Sequence, residues 1–571
     1  MGRKGNNLRQ RQNGRLELTA AVTTIVFAAL ACRLFYLQIL SHDDLQAAAV
    51  SQYQVAVEGL DTRGQIFDRN LEPLTGGTEQ YIYFLETDRL DGDGEALLAS
   101  ISARYISVIP ESGAGPGSRY TVYRSQSFDP AVNQRLKEEY GAYVLCTSAR
   151  YSDSQTACHL LGYLNESEKK GVSGLEKACE QTLAAESRNL VLWADSAGGL
   201  LSGISPKLVG EESLREGSVI TTLDGGLQRA CEDILASRNV SGAVLVSELK
   251  TGEILAWASS PAFNPNTVEA YLTAGGDCLV DKCIQGVYAP GSVFKVVVAA
   301  AALESGMVDP EAVYDCDGEE TVGGITLGCA MGPAGGHGPV DMKEAMAKSC
   351  NCYFAVLGEQ LGKERILDMA RRLGLGSLVF SQFTEETAGS LPAAEALGEW
   401  DISNLSIGQG QLQVTPAQVH RMMANVCGGG RAAELKVVKG QGDNAASKDG
   451  GSPDADGDPD ADGDQDADGA KQILPASVAG ILEEMLAAVM EEGTGRSSLR
   501  SVPAWGKTGT TETVRGGKAV SDCWFSGCCQ VGETRFVITV LVEDGVSGSS
   551  SALPIFDAMA DYLQVRQFQM E

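Results

Sequence analysis

An unbroken apolar run, Val296 to Leu303, is headed by the sequence Pro290-Gly291-Ser292-Val293-Phe294-Lys295. Only a buried helix or strand accommodates such a run of Val, Ala and Leu, and the Pro-Gly pair ahead of it marks a turn. The chain must therefore bring a serine and a lysine to the mouth of a hydrophobic interior. On a helix, Lys295 lies one turn from Ser292 on the same face. A free lysine titrates near 10.4, and burial together with the positive end of a helix lowers that value. The pair then has the makings of a nucleophile and its base.

Two further motifs follow in a fixed order. Ser349 sits in Lys348-Ser349-Cys350-Asn351, and Lys507 opens Lys507-Thr508-Gly509-Thr510. Together the three read S-x-x-K, S-x-N and K-T-G, a constellation for acyl transfer that needs no histidine and no metal. Each string alone is weak, because the chain holds decoys of all three. Ser167-Glu168-Lys169-Lys170 and Ser247-Glu248-Leu249-Lys250 repeat the first, and Ser187-Arg188-Asn189 and Ser237-Arg238-Asn239 the second. Lys250-Thr251-Gly252 repeats the third, but it lies between two β-like runs, 243–246 and 254–258, and reads as a hairpin turn. Of the S-x-x-K strings, Ser292 stands out because a buried apolar segment follows it.

The chain has 571 residues, enough for two or three domains. Charged residues make up 21% and hydrophobic ones 43%, the balance of a folded protein. A net charge of −30 argues against nucleic acid as a partner. Part of that charge is local: residues 441–471 carry a repeated Asp-Ala-Asp-Gly-Asp pattern and read as a solvated, disordered insertion. Asp464, Asp466, Asp468 and Gly469 match the first half of an EF-hand loop, but Pro475 stands where a bidentate Glu is required.

Residues 1–15 hold five Arg or Lys and no acid, and 18–40 are apolar apart from Arg33 and Gln38. That length suits a bilayer-spanning helix, and the basic flank places the N-terminus in the cytoplasm and the body outside. Arg33 can snorkel to the outer interface. A cleaved signal peptide and a lipoprotein site at Ala29-Leu30-Ala31-Cys32 are the competing readings. Fifteen cysteines are many for an external protein. Cys316 and Cys329 flank a Gly-rich hairpin-like segment and suit a disulfide. No C-x-x-C pair of pairs exists, so zinc is rejected, and none of His42, His159, His337 and His420 falls in a metal or triad pattern. His337 is expected to be structural and Cys350 a small packed residue.

Residues 41–210 alternate short apolar runs with turns and read as a β-containing module without a catalytic pattern. Beyond it, a strand at 219–223, helices near 227–236, 341–357 (with Ser349-Cys350-Asn351 interrupting it or ending a turn), 364–373, 416–426, 475–492 and 554–564, and strands at 503–509, 522–530 and 534–543 imply an α+β domain.

In this order the motifs resemble those of the class B penicillin-binding proteins, peptidoglycan D,D-transpeptidases. Arg63-Gly64-Gln65-Ile66-Phe67-Asp68-Arg69-Asn70, His159-Leu160-Leu161-Gly162-Tyr163 and Ser173-Gly174-Leu175-Glu176-Lys177 resemble segments of that family's non-catalytic pedestal. Thr251 to Ala256, His337-Gly338, Gly408-Gln409-Gly410, Thr415-Pro416 and Trp524-Phe525-Ser526-Gly527 resemble its catalytic domain. No transglycosylase pattern precedes the pedestal, which favours class B over the bifunctional class A. The acidic insertion departs from the family pattern.

The resemblance implies a cytoplasmic tail (1–15), a signal anchor (16–40), a pedestal (41–210) and a transpeptidase domain (211–571) of the penicillin-binding-protein and serine β-lactamase fold. That fold is an antiparallel sheet flanked by helices, with an all-helical subdomain. It implies Ser292 as nucleophile, Lys295 as base or as the cation that holds Ser349 and Asn351, and Ser349 as proton relay. Asn351 would bond the donor peptide, and Lys507, Thr508, Gly509 and Thr510 would receive the terminal carboxylate. The backbone N–H groups of Ser292 and Thr510 would form the oxyanion hole. No cofactor or metal is called for. The expected partners are stem peptides, β-lactams, the lipid bilayer and a membrane-embedded glycosyltransferase. A β-lactamase or carboxypeptidase using water, a β-lactam sensor and a non-catalytic scaffold are the alternatives.

Overall fold

The structure is a computed structural model that describes residues 22–36, 39, 54–56, 63–110, 118–165, 170–184, 189–193, 207–209, 217–329, 335–398, 400–441, 471–498 and 500–570. The basic tail, the expected decoys at Ser167 and Ser187 and the acidic repeat fall outside them. The chain divides into two compact units. The first comprises Met1–Thr62, Gln80–Thr147 and Arg188–Glu211; the second comprises Arg63–Glu79, Ser148–Ser187 and Glu212–Glu571.

In the first unit, residues 22–35 are helical and expose apolar side chains, Ile25 and Phe27 at 67% each. No helix among the described residues is long and apolar enough to cross a membrane. A four-stranded sheet runs in the order Arg104–Pro110, Ser118–Ser125, Thr78–Glu86, Tyr143–Ala149. Strand alternation sends Ile82 and Phe84 to one face, and Tyr83 and Leu85 to the other, where Leu98, Leu136 and Tyr140 cover them. Both covering helices start at an aspartate cap. Asp91 accepts from Asp93 and Gly94 N–H ahead of Gly92–Ser100, and Asp129 from Ala131 and Val132 N–H ahead of Pro130–Tyr140. Gln54–Ala56, Asn189–Trp193 and Lys207–Val209 form a smaller sheet.

The second unit holds the three motifs. In chain order it contains α1 (Gly225–Ser237), β1 (Gly242–Glu248), β2 (Ile254–Ser260), α2 (Lys295–Ser305), α3 (Met342–Ala347), α4 (Asn351–Leu361), α5 (Pro416–Cys427), α6 (Ala476–Glu491), β3 (Ala504–Arg515), β4 (Lys518–Val531), β5 (Thr534–Val542) and α7 (Leu553–Met570). The strands make one antiparallel sheet in the order β2-β1-β5-β4-β3. Side-chain alternation along the strands separates two cores. Val244, Val246, Phe525, Ile538 and Val540 pack with Leu227, Leu235 and Phe556 of α1 and α7. Ala243, Leu245, Trp524, Cys528 and Leu541 pack with the helices on the other face, α2 among them. These helices and this sheet are the α+β domain that the periodicity implies.

One departure from the sequence reading has a local cause. The β3 and β4 strands run on past the expected limits to a hairpin tip at Gly516-Gly517, where φ is +59° and +77°. Those positive φ values suit glycine and match the twist of a long hairpin. The helix region expected at 341–357 is interrupted where the sequence reading put the interruption: two helices meet at Ser349-Cys350, and Ser349 has φ +55°. Lys250-Thr251-Gly252 is the β1–β2 turn, as its flanks require.

Segments 63–79 and 148–187, read from sequence as parts of the 41–210 module, belong to the second unit. Ile66–Phe67 pairs in parallel with Val219–Thr221. Asp68 Oδ2 accepts from Gly225 N–H at 3.1 Å, at the start of α1. Glu176, fully buried, accepts from Arg63 Nε at 2.9 Å, Arg150 Nε at 2.7 Å and Tyr151 OH at 2.8 Å. The Arg-Gly-Gln-Ile-Phe-Asp-Arg and Ser-Gly-Leu-Glu-Lys stretches are thus two halves of one buried ionic junction. Removing one partner of such a junction leaves uncompensated charge and costs about 3–5 kcal/mol. Glu176→Ala is expected to lower the unfolding free energy of the second unit, measured by urea titration, by that amount, with Arg63 and Arg150 left facing each other.

Candidate active site

The chain reaches Ser292 through a 3₁₀ turn, Gly291–Phe294, that leads directly into α2. Ser292 is half-buried, whereas Val293, Phe294 and Lys295 are fully buried. The turn is docked on the edge strand β3 and its neighbour β4. Ala289 carbonyl accepts from Thr511 Oγ1 and Trp524 Nε1, both at 3.1 Å. Gly291 N–H donates to Gly408 carbonyl at 2.9 Å. Gly408, at φ +74°, approaches so closely that a Cβ there would lie 2.2 Å from Gly291 oxygen. The Gly408-Gln409-Gly410 stretch therefore clamps the serine turn from behind.

Gly509 has a structural role beside the one its sequence suggests. A Cβ there would stand 2.9 Å from Val293 Cγ2 and 3.0 Å from Pro290 oxygen. The glycine is needed for the approach of the serine turn itself, in addition to any approach by a substrate backbone.

Lys295 is at the centre. Its Nζ donates to Ser349 carbonyl at 2.8 Å, Ser349 Oγ at 3.2 Å and Asn351 Oδ1 at 2.6 Å. An ammonium has three donors, and all three are engaged. Burial pushes the Lys295 pKa down to about 8. These bonds hold Ser349 in its left-handed conformation, which costs free energy for a non-glycine residue. Met346 and Ala345 carbonyls brace the same turn, accepting from Ser349 and Cys350 N–H at 3.2 and 2.8 Å. Asn351 Nδ2 donates to Gly328 carbonyl at 3.2 Å.

Lys507 lies on β3 and is fully buried. Burial and, after it, the positive charge of Lys295 push its pKa well below the ordinary lysine value. Its Nζ makes a long hydrogen bond, 3.3 Å, to Thr508 carbonyl. Among the described residues no carboxylate lies within ion-pair distance of either lysine. Thr508 Oγ1 meets Thr494 Oγ1 at 2.6 Å, and Thr510 Oγ1 accepts from Gly548 N–H at 3.0 Å. Sequence reasoning missed Thr494 and Gly548, because neither stands in a recognisable string.

The fold thus joins Lys295, Ser349 and Asn351 by hydrogen bonds, sets Ser292 in the turn that leads to Lys295, and packs the strand that carries Lys507 to Thr510 against that turn. Lys507, buried, weakly bonded and without a carboxylate partner among the described residues, is a candidate site for an anion, which would favour its charged form. A serine at the mouth of a helix beside a neutralisable lysine can form an acyl ester.

One expectation about the cysteines needs correction, the disulfide between Cys316 and Cys329. Cys316 and Cys329 are free thiols. Both sulfurs lie near His337 Nδ1, at 3.8 and 3.2 Å. Cys350 belongs to the same cluster, with its Sγ 3.8 Å from that of Cys329. The rejection of zinc rested on linear spacing, and the fold assembles its four candidate ligands from segments that spacing does not connect. His420 is buried and neutral, its pKa pushed down to about 3 by burial, and it bridges Ser247 Oγ and Thr539 Oγ1 at 2.7 and 3.0 Å.

Comparison with known proteins agrees with this geometry. Residues 242–561 match the penicillin-binding protein transpeptidase domain family. The chain is 26% identical to penicillin-binding protein PbpB of Mycobacterium tuberculosis, over 96% of this chain and 84% of the relative. It is also 26% identical to peptidoglycan D,D-transpeptidase MrdA of Acinetobacter baumannii, over 95% and 87%. A solved chain from a peptidoglycan synthase complex that coordinates polymerization and crosslinking superposes with a TM-score of 0.68 at 25% identity, covering 96% of this chain and 98% of that one. With its serine turn, its lysine-bridged second motif and its edge-strand third motif lying inside the matched span, the chain belongs to the penicillin-binding protein transpeptidase family, in its class B branch.

Proposed function

We propose that this protein is a membrane-anchored peptidoglycan D,D-transpeptidase that works through an acyl-enzyme on Ser292 and is acylated by β-lactams. The observation that carries the reading is the pair of buried lysines, Lys295 and Lys507, beside Ser292 with no carboxylate partner among the described residues. A peptide ending in D-Ala-D-Ala supplies the missing anion at its C-terminus.

In the donor step Ser292 Oγ attacks the carbonyl carbon of the penultimate D-Ala. Its proton passes to neutral Lys295 Nζ and on through Ser349 Oγ to the amine of the departing D-Ala. The backbone N–H groups of Ser292 and Thr510 face the oxyanion. Lys507, Thr508 and Thr510 hold the terminal carboxylate, and Asn351 holds the donor backbone. In the acceptor step the amine of a neighbouring stem attacks the ester and the proton route reverses. The edge position of β3 suits this, since an extended peptide adds to an open strand edge.

The exposed apolar helix at 22–35 supports a signal anchor within 16–40, with the 1–15 tail cytoplasmic and the body outside. Residues 41–210 form the pedestal, with segments 63–79 and 148–187 built into the catalytic unit, and 211–571 form the transpeptidase domain. The likeness to a synthase-complex chain over nearly its whole length supports a glycosyltransferase partner.

Fluorescent penicillin should label the wild-type chain and leave Ser292→Ala unlabelled; equal labelling of the two removes the reading. With lipid-linked substrate, cross-linked dimers support transpeptidation, and hydrolysed monomers alone assign the site to a carboxypeptidase or β-lactamase. Lys507→Ala is expected to slow labelling by about 10- to 100-fold, the value of a charge-assisted hydrogen bond. Because the pKa of Lys295 is pushed down to about 8, its neutral fraction grows as pH rises through that value. The labelling rate should climb from pH 6 and level off above about 8, and a flat profile would exclude Lys295 as base.

A further inference from the structure

Cys316, Cys329, His337 and Cys350 place four ligand atoms within 4.8 Å of one another. The fold brings them from separate segments. Cys316 ends the strand Tyr314–Cys316, which pairs with Gly338–Val340 in the register Cys316↔Gly338, so His337 comes alongside it. Cys329 follows the hairpin of Glu319–Val322 and Ile325–Gly328, its N–H donating to Gly318 carbonyl at 2.8 Å. Cys350 caps α4.

The separations are those of a metal site. A tetrahedral zinc with Zn–S of about 2.3 Å and Zn–N of about 2.05 Å has S···S edges of about 3.8 Å and S···N edges of about 3.6 Å. Cys329 and Cys350 sulfurs stand 3.8 Å apart, and Cys316 and Cys329 sulfurs stand 3.8 and 3.2 Å from His337 Nδ1. The three thiols are buried; Cys352 is buried beside Cys316 and Cys329 as well, but it is not among the four residues whose ligand atoms all lie within 4.8 Å of one another. Thiolate and imidazole donors favour zinc over magnesium or calcium.

We propose that Cys316, Cys329, Cys350 and His337 Nδ1 bind one zinc ion that anchors the S-x-N turn. The three thiols release their protons on binding, and the imidazole binds neutral. Four protein ligands close the coordination sphere, so the ion is structural and offers no position to water or substrate. Its leverage on the site comes from position. Cys350 lies between Ser349 and Asn351, both of which bond Lys295, and Asn351 bonds the carbonyl of Gly328, the residue before Cys329. The ion would hold the strained Ser349 turn and the hairpin as one body. The effect on acylation rests on the reading of Ser292 given above; the metal content does not.

The test uses the full chain in detergent, purified with a reductant and without chelator, with metal measured by mass spectrometry. About one zinc per chain is expected. His337→Ala and Cys316→Ser should each lower retained zinc at least tenfold, while Cys352→Ser keeps it. Cobalt substitution should give a thiolate charge-transfer band that Cys316→Ser weakens. Stripping the metal should lower the melting temperature and slow penicillin labelling by about tenfold, with recovery on adding zinc. Folded wild-type chain without stoichiometric metal overturns the site. So does metal retained by both ligand variants, or a Cys329–Cys350 disulfide in the freshly isolated, metal-free chain. Bound zinc in a chain that takes no penicillin leaves the metal site standing and removes the Ser292 reading instead.

Discussion

The catalytic centre depends on one buried ammonium. Lys295 spends its three donors on Ser349 and Asn351, and through them the S-x-x-K helix and the S-x-N turn become a single object. The same bonds explain two features that conflict with local preference. A lysine lies in the core, and a serine is held at φ +55°. Each is costly alone, and each is satisfied by the other. The arrangement also separates two states of the lysine. As an ammonium it organises the turn, and as a free amine it can take a proton from Ser292.

Close approach supplies the second constraint. The serine turn touches β3 at Gly509 and the Gly408 loop at its own Gly291, and no side chain fits at the first two positions without moving the turn. Three glycines from distant parts of the sequence therefore set how near the Ser292 turn stands to the strand that carries Lys507. The chemistry needs that distance to be fixed before substrate arrives, since much of the rate of such enzymes comes from preorganisation.

Much of this was legible in the sequence. The apolar run after Ser292 demands burial, the hairpin around Lys250-Thr251-Gly252 disqualifies that decoy, and period-two alternation gives the sheet. The interruption at Ser349-Cys350-Asn351 was legible too, but not the left-handed conformation of Ser349, which is bonded to a lysine more than fifty positions away. The gathering of the cysteine–histidine cluster was not legible for a related reason. Metal spacing rules describe ligands on one short segment, and here the register between Tyr314–Cys316 and Gly338–Val340 brings His337 to Cys316. The ionic junction around Glu176 shows the same limit: its arginines come from segments on either side of the first unit's sheet in the sequence, so only the fold reveals that they share one partner.

The most direct test of the central claim is to trap the ester and locate it. The full chain is incubated with a β-lactam, digested and mapped by mass spectrometry. The account predicts a single adduct of one drug mass on the peptide that carries Ser292. An adduct on Ser349 or on Cys350, or a chain that takes up no drug while folded, would contradict it.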